Sequence, residues 1–264
     1  NTIDGYTGDI FDTPTIGIPR AIENLVITGN NKIDGDIAFL PHVLGQCVIT
    51  GNNTVYGDIA DLSTNLTTID IEGLNTISGD IQSLSSLVDL FSFHIEGQNT
   101  LVGDLQYMPS TMENFYISGT GVFNITGDIT ANPLPTTITK LIVSGSVGIA
   151  DISGDLSDIS TLPLTDFVLG SGNAITGNLS SLSSISSLED FELSASTLSS
   201  ITGNLSSIGL LTSLKTFVLS CNNAVTGNLS SITGLSHLDK FVIEGQNTIS
   251  GNIGVLPPKS HIIV

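Results

Sequence analysis

The chain has 264 residues, 40% of them apolar and only 12% charged, so Ser, Thr, Asn and Gly dominate its polar surface. Six Lys and Arg against 25 Asp and Glu leave a formal charge of −19, which repels polyphosphates and anionic headgroups and excludes nucleic acid as a partner. No stretch approaches the ~20 apolar residues of a membrane-crossing helix, which excludes insertion by that route.

From residue 25 onward a single unit recurs. Leu25-Val26-Ile27 leads into Asn31-Lys32-Ile33-Asp34-Gly35-Asp36-Ile37, and the last complete copy runs from Phe241-Val242-Ile243 to Asn247-Thr248-Ile249-Ser250-Gly251-Asn252-Ile253. Between them, apolar-x-apolar triplets start at Cys47, Ile69, Phe93, Phe115, Leu141, Phe167, Phe191 and Phe217, and the nine intervals from 25 to 241 average 24 residues. Alternation of this kind is the period of a half-buried strand. A unit this short cannot bury its own apolar residues, so the copies must stack, giving a β-rich solenoid of about ten or eleven coils with a parallel sheet on its concave side and few or no α-helices. The predicted organisation is one domain over 1–264: an irregular, partial first coil over 1–24, regular repeats over 25–256 and an open-ended final strand over 257–264.

Behind each strand comes an Asn two residues before an aliphatic, at Asn31, Asn53, Asn75, Asn99, Asn173, Asn223 and Asn247. At a fixed slot in stacked coils, its amide predicts a ladder of hydrogen bonds to turn backbones. Next comes Gly followed by Asp or Asn and an aliphatic, starting at Gly8 and recurring in every coil to Gly251. There Gly supplies a turn or a close approach. The return leg carries either a Pro, as in Met108-Pro109 and Leu134-Pro135, or a Ser- and Leu-rich run such as Leu182 to Asp190. Ser and Thr disfavour a full helix, which predicts extended or 3₁₀ segments on the convex side. The longer stretches 119–124, 146–150 and 194–200 lack the ladder Asn and are expected to bulge from the edge.

Leu188-x-x-Phe191-x-Leu193, followed by segments such as Asn173-Ala174-Ile175-Thr176-Gly177-Asn178-Leu179, resembles the leucine-rich repeat in its plant-type form. The compact, Pro-marked copies are also similar to bacterial and phage-encoded repeats. The resemblance implies a leucine-rich-repeat horseshoe or superhelix that binds protein or glycan on its concave sheet.

The outward slot of the strands reads Val26, Val48, Asp70, His94, Tyr116, Ile142, Val168, Glu192, Val218 and Val242. Seven of the ten are apolar or aromatic, which predicts an exposed binding stripe centred on His94, Tyr116 and Ile142. The Asp series at 36, 58, 80, 104, 128 and 155 gives way to Asn at 178, 204, 228 and 252. One carboxylate per coil is too few for calcium, so these read as turn residues, and no metal or cofactor is expected. His42, His94, His237 and His261 share no slot, no catalytic constellation stands out, and an enzyme is not expected. Cys47 and Cys221 lie too many coils apart to pair, with Cys221 just past its strand. Asn-x-Ser/Thr at 52, 65, 124, 178, 204 and 228 is a glycan acceptor only in a eukaryotic secretory route.

The chain starts at Asn1, inside a repeat, and reads as processed or as a piece of a longer array. Its end places Ile263 at the next strand start, so Ile3, Ile262, Ile263 and Val264 are candidate end-to-end contacts with copies of itself or with a longer parent chain. Two functions are carried forward: an adhesion or interaction module on a cell, virion or other extracellular surface, and a spacer or self-assembling filament subunit.

Overall fold

The computed structural model describes residues 2–3, 7–9, 22–29, 32–148, 151–196, 199–256 and 261–263. The chain divides into two compact units, residues 1–125 with 145–148, and residues 126–144 with 149–264. Each is a stack of coils whose strand pairings are all parallel.

In the first unit, one row of strands is formed by Thr2–Ile3, Asn24–Ile27, the front of Gln46–Asp58 and of Thr68–Asp80, Ser92–Gly97 and the front of Asn114–Asp128. Its register aligns Thr2, Val26, Val48, Asp70, His94 and Tyr116 across successive coils. In the second unit, the corresponding row aligns Ile142, Val168, Glu192, Val218, Val242 and Ile263. Ile262, not Ile263, occupies the strand-start slot opposite Phe241, so the terminal strand sits one residue earlier in register than its apolar pattern implied. Each coil then bends into a second row, where the Gly of the Gly-Asp/Asn pair faces an aliphatic of the next coil, as in Gly79 opposite Leu101 and Gly177 opposite Ile201.

The return legs are short 3₁₀ turns, nine among the described residues, from Ile37–Phe39 to Ile253–Val255. The reason lies in the residue before them. Asp36, Asp58, Asp80, Asp104, Asp155, Asn178, Asn204, Asn228 and Asn252 are N-caps, each side-chain oxygen accepting from the backbone N–H two residues on. Asp and Asn are interchangeable here because both present an acceptor at the same distance from the backbone. Asp128 accepts likewise from Thr130 N–H, at 2.9 Å. Asp155 adds a capping box with Asp158, and the Ser157 backbone N–H it accepts holds its carboxyl below the usual carboxylate range.

The cap also explains the glycine of the next coil. Gly79 has φ 129°, and a Cβ there would lie 2.5 Å from Asp58 Oδ1 and 2.7 Å from Ile59 Cγ1. The interior of each coil is apolar and fully buried, and Phe at the strand start stacks on Phe of the next coil. Centroids are 5.6 Å apart for Phe93 and Phe115, and 5.5 to 5.8 Å along Phe167, Phe191, Phe217 and Phe241. Such pairs contribute ~0.5–1.5 kcal/mol beyond area burial.

The Asn ladder forms as expected. Asn53, Asn75 and Asn99 are fully buried, and their Oδ1 atoms accept from the backbone N–H of Ile33, Val55 and Ile77 in the preceding coil, at 3.1, 3.0 and 2.8 Å. Asn247 does the same for Val225, while Asn31 falls outside the described residues.

One of the three stretches expected to bulge, 119–124, is integrated instead, whereas 194–200 shows a bulge-type shift of register at its start and its residues 197–198 fall outside the described residues. Residues 119–124 lie within the continuous strand Asn114–Asp128. Beyond a register shift between Leu193 and Ser196, Ser199 takes over the missing Asn slot, its buried Oγ accepting from Ile175 N–H at 2.9 Å. Of the third, residues 146–148 continue the strand Lys140–Gly148 and 149–150 fall outside the described residues.

Candidate functional site

The outward slot is in register within each unit, but it is not uniformly exposed. Val26, Val48, Asp70, His94 and Tyr116 in the first unit, and Ile142, Val168 and Glu192 in the second, are half-buried. Val218 and Val242 are only 3% and 6% exposed, so they do not belong to an open stripe. Nearby, Lys240 Nζ pairs with Glu192 at 3.3 Å, two coils away. Lys140 pairs with Asp166 at 3.0 Å and Lys215 with Glu189. Every lysine whose side chain is described is therefore spent on a carboxylate within the second unit.

The first unit carries the chemically distinct part of the row. Asp70 and Glu72 are two residues apart on one strand, so both point outward, and His94 is the register partner of Asp70 on the next strand. His94 Nδ1 lies 3.0 Å from Asp70 Oδ1 and 3.7 Å from Glu72 Oε1, with side-chain exposures of 23%, 29% and 39% for His94, Asp70 and Glu72. On its far side His94 meets Tyr116 edge to face, with centroids 4.1 Å apart and planes at 65°.

The polar atoms of this group are poorly satisfied. Asp70 Oδ1 and His94 Nε2 are both shielded from solvent and have no hydrogen-bond partner. The 3.0 Å approach of Nδ1 to Oδ1 thus has the distance of a hydrogen bond without its angle. Burial, then the negative charges of Asp70 and Glu96, push Glu72 above the usual carboxylate range, with His94 pulling the other way.

Sequence reasoning placed Asp70, His94 and Tyr116 in one row but passed over Glu72, and with it the convergence of two carboxylates and an imidazole. The available signal was the i, i+2 spacing of Asp70 and Glu72 opposite a histidine one coil on. Cys47 is fully buried and Cys221 nearly so, and neither is bridged. Cys221 lies within the strand Thr216–Asn228, not past its end, and its thiol donates to Asn223 Oδ1. Of the proposed end residues, Ile3 and Ile262 lie on strands opposite Ile27 and Phe241, and Val264 is outside the described residues.

Among solved structures, the plant peptide hormone receptor RGFR1 in complex with RGF2 superposes with a TM-score of 0.60 at 23% identity, over 94% of this chain and 43% of the receptor chain. The leucine-rich-repeat ectodomain of the receptor kinase GASSHO1/SCHENGEN3 from Arabidopsis thaliana, in complex with CASPARIAN STRIP INTEGRITY FACTOR 2, gives 0.56 at 19% identity, over 95% and 33%. This is the leucine-rich-repeat fold. A TDR receptor gives 0.50 at 21% identity, over 88% and 44%, so this leucine-rich-repeat chain spans less than half the length of each of the three. No protein-family model and no curated protein matches the sequence. Among the described residues of this leucine-rich-repeat chain, no helix is long and apolar enough to cross a membrane.

Proposed function

We propose that the chain is a non-enzymatic, extracellular or cell-surface recognition module that binds a protein ligand on the outward strand row, centred on Asp70, Glu72, His94 and Tyr116. The observation that carries this reading is the group itself: half-buried polar and aromatic side chains brought into one row, with buried polar atoms left unpartnered. Groups of that kind gain more from a partner than satisfied ones do. The receptor complexes RGFR1–RGF2 and GASSHO1/SCHENGEN3 with CASPARIAN STRIP INTEGRITY FACTOR 2 support protein as the ligand class, and the charge of −19 favours a basic one.

A displayed random-peptide library and a glycan array, each applied to the purified chain, test the reading. Enrichment of basic peptides, bound about thirtyfold more weakly by Tyr116→Asp with unchanged thermal unfolding, is expected from the loss of one aromatic anchor worth ~2 kcal/mol. Enrichment of no peptide, selection of glycans alone, or equal binding by Tyr116→Asp would overturn it.

A further inference from the structure

We infer that Asp70, Glu72 and His94 form a binding site for a first-row divalent transition metal of the zinc type. Their Oδ1, Oε1 and Nδ1 atoms all lie within 4.8 Å of one another. For metal–ligand bonds of about 2.1 Å, neighbouring donors sit ~3.0 Å apart at right angles and ~3.4 Å apart at the tetrahedral angle. The observed 3.0 and 3.7 Å from Nδ1 to the two carboxylates bracket that range. Glu72, which makes the longer of the two approaches, is the most exposed of the three.

A proton alone serves this group badly in each form it can take. With hydrogen on Nδ1 only, the contact to Asp70 lacks hydrogen-bond geometry and the Nε2 lone pair is shielded without a donor. With hydrogen on both nitrogens, a charged ring would carry a buried N–H without an acceptor, which is costly. With hydrogen on Nε2, that N–H has only the Tyr116 ring as a weak neighbour. The Nδ1 lone pair then converges with two carboxylate oxygens, one of them shielded and unpartnered. A divalent cation is the species that satisfies three converging lone pairs at once, and among the described residues no lysine or arginine stands at the group to do so instead.

The donor set selects the ion. Two carboxylate oxygens and one imidazole nitrogen are too few oxygens for calcium, and with no thiolate present they suit Zn²⁺, Co²⁺, Ni²⁺ or Mn²⁺, in the usual affinity order. Three protein donors leave coordination positions open. The ligating histidine lacks the acceptor that normally orients such a ring, so binding is expected in the micromolar range.

Titration of the purified full chain with Co²⁺, followed by visible d–d absorbance, and with Zn²⁺ by calorimetry, tests the site. One equivalent should bind. Glu72→Gln, at a half-buried side chain outside the core, should weaken binding at least tenfold, and His94→Gln should abolish the one-equivalent phase. His237→Gln, on another coil, should leave it unchanged. Absence of saturable binding below about 1 mM, or undiminished affinity in His94→Gln, would overturn the assignment. Neither readout depends on any protein ligand, so the site and the recognition reading fail separately.

Discussion

Replacing Asn75 by Ala isolates what the buried Asn ladder contributes. Asn75 Oδ1 accepts from Val55 N–H at 3.0 Å, and its Nδ2 donates to the Glu96 carbonyl at 3.3 Å, with the side chain fully buried. Truncation orphans one fully buried backbone donor, at ~1–3 kcal/mol, and one part-buried carbonyl that water can partly serve, for a total of about 2–4 kcal/mol. Asn53 is equally buried and accepts from Ile33 N–H, but its Nδ2 has no partner. Asn53→Ala therefore orphans one backbone group while removing an amide that was already unsatisfied, and should cost at least ~1 kcal/mol less. The cavities left behind are alike and cancel in the comparison. Urea unfolding followed by circular dichroism, with stability read from midpoints at unchanged slope, gives both values, and amide exchange at Val55 and Ile33 reports the two orphaned donors directly. An Asn53→Ala loss as large as that of Asn75→Ala would refute the reasoning. So would an Asn75→Ala loss below ~0.5 kcal/mol, the usual scale of a neutral surface change.

Gly79→Ala should cost about 2–4 kcal/mol, from left-handed backbone strain and displacement of the Asp58 cap, since its Cβ would lie 2.5 Å from Asp58 Oδ1. Gly234→Ala is the control, its Cβ approaching nothing closer than 3.8 Å; equal melting temperatures for the two variants would contradict the close-packed turn. Burial first, and then the charge of Asp70, push the Cys47 thiol up to about 12 from 9.0. The folded value lies above the unfolded one, so this contribution to stability is whole below pH ~9 and is lost as pH rises from there toward 12. A thiol reagent at pH 8 should leave Cys47 unmodified until urea unfolds the chain, and the urea midpoint should fall between pH 8 and pH 10.5. Rapid labelling of Cys47 in the native state would show that the slot is open.

The stacking of coils, the strand starts from Leu25 to Phe241, the Asn ladder and the Gly-Asp/Asn turn were all legible in the sequence, while the start of the last strand was read one residue late. In a repeat each slot packs on the same slot of its neighbour, so a short local pattern dictates its own contacts. The 3₁₀ return legs followed from composition, and the interchange of Asp and Asn after Gly was a visible sign of a shared capping role. What the sequence could not settle depends on register between coils of unequal length. Ser199 stands in the slot of a ladder Asn in a coil whose strand shifts register between Leu193 and Ser196. Lys240 pairs with Glu192 two coils away, a reach no repeat alignment encodes. Glu72 meets Asp70 and His94 because side chains alternate along one strand while register aligns the next. Local periodicity thus determined the fold, and only the tertiary structure, by choosing which outward side chains become neighbours, decided where a site could form.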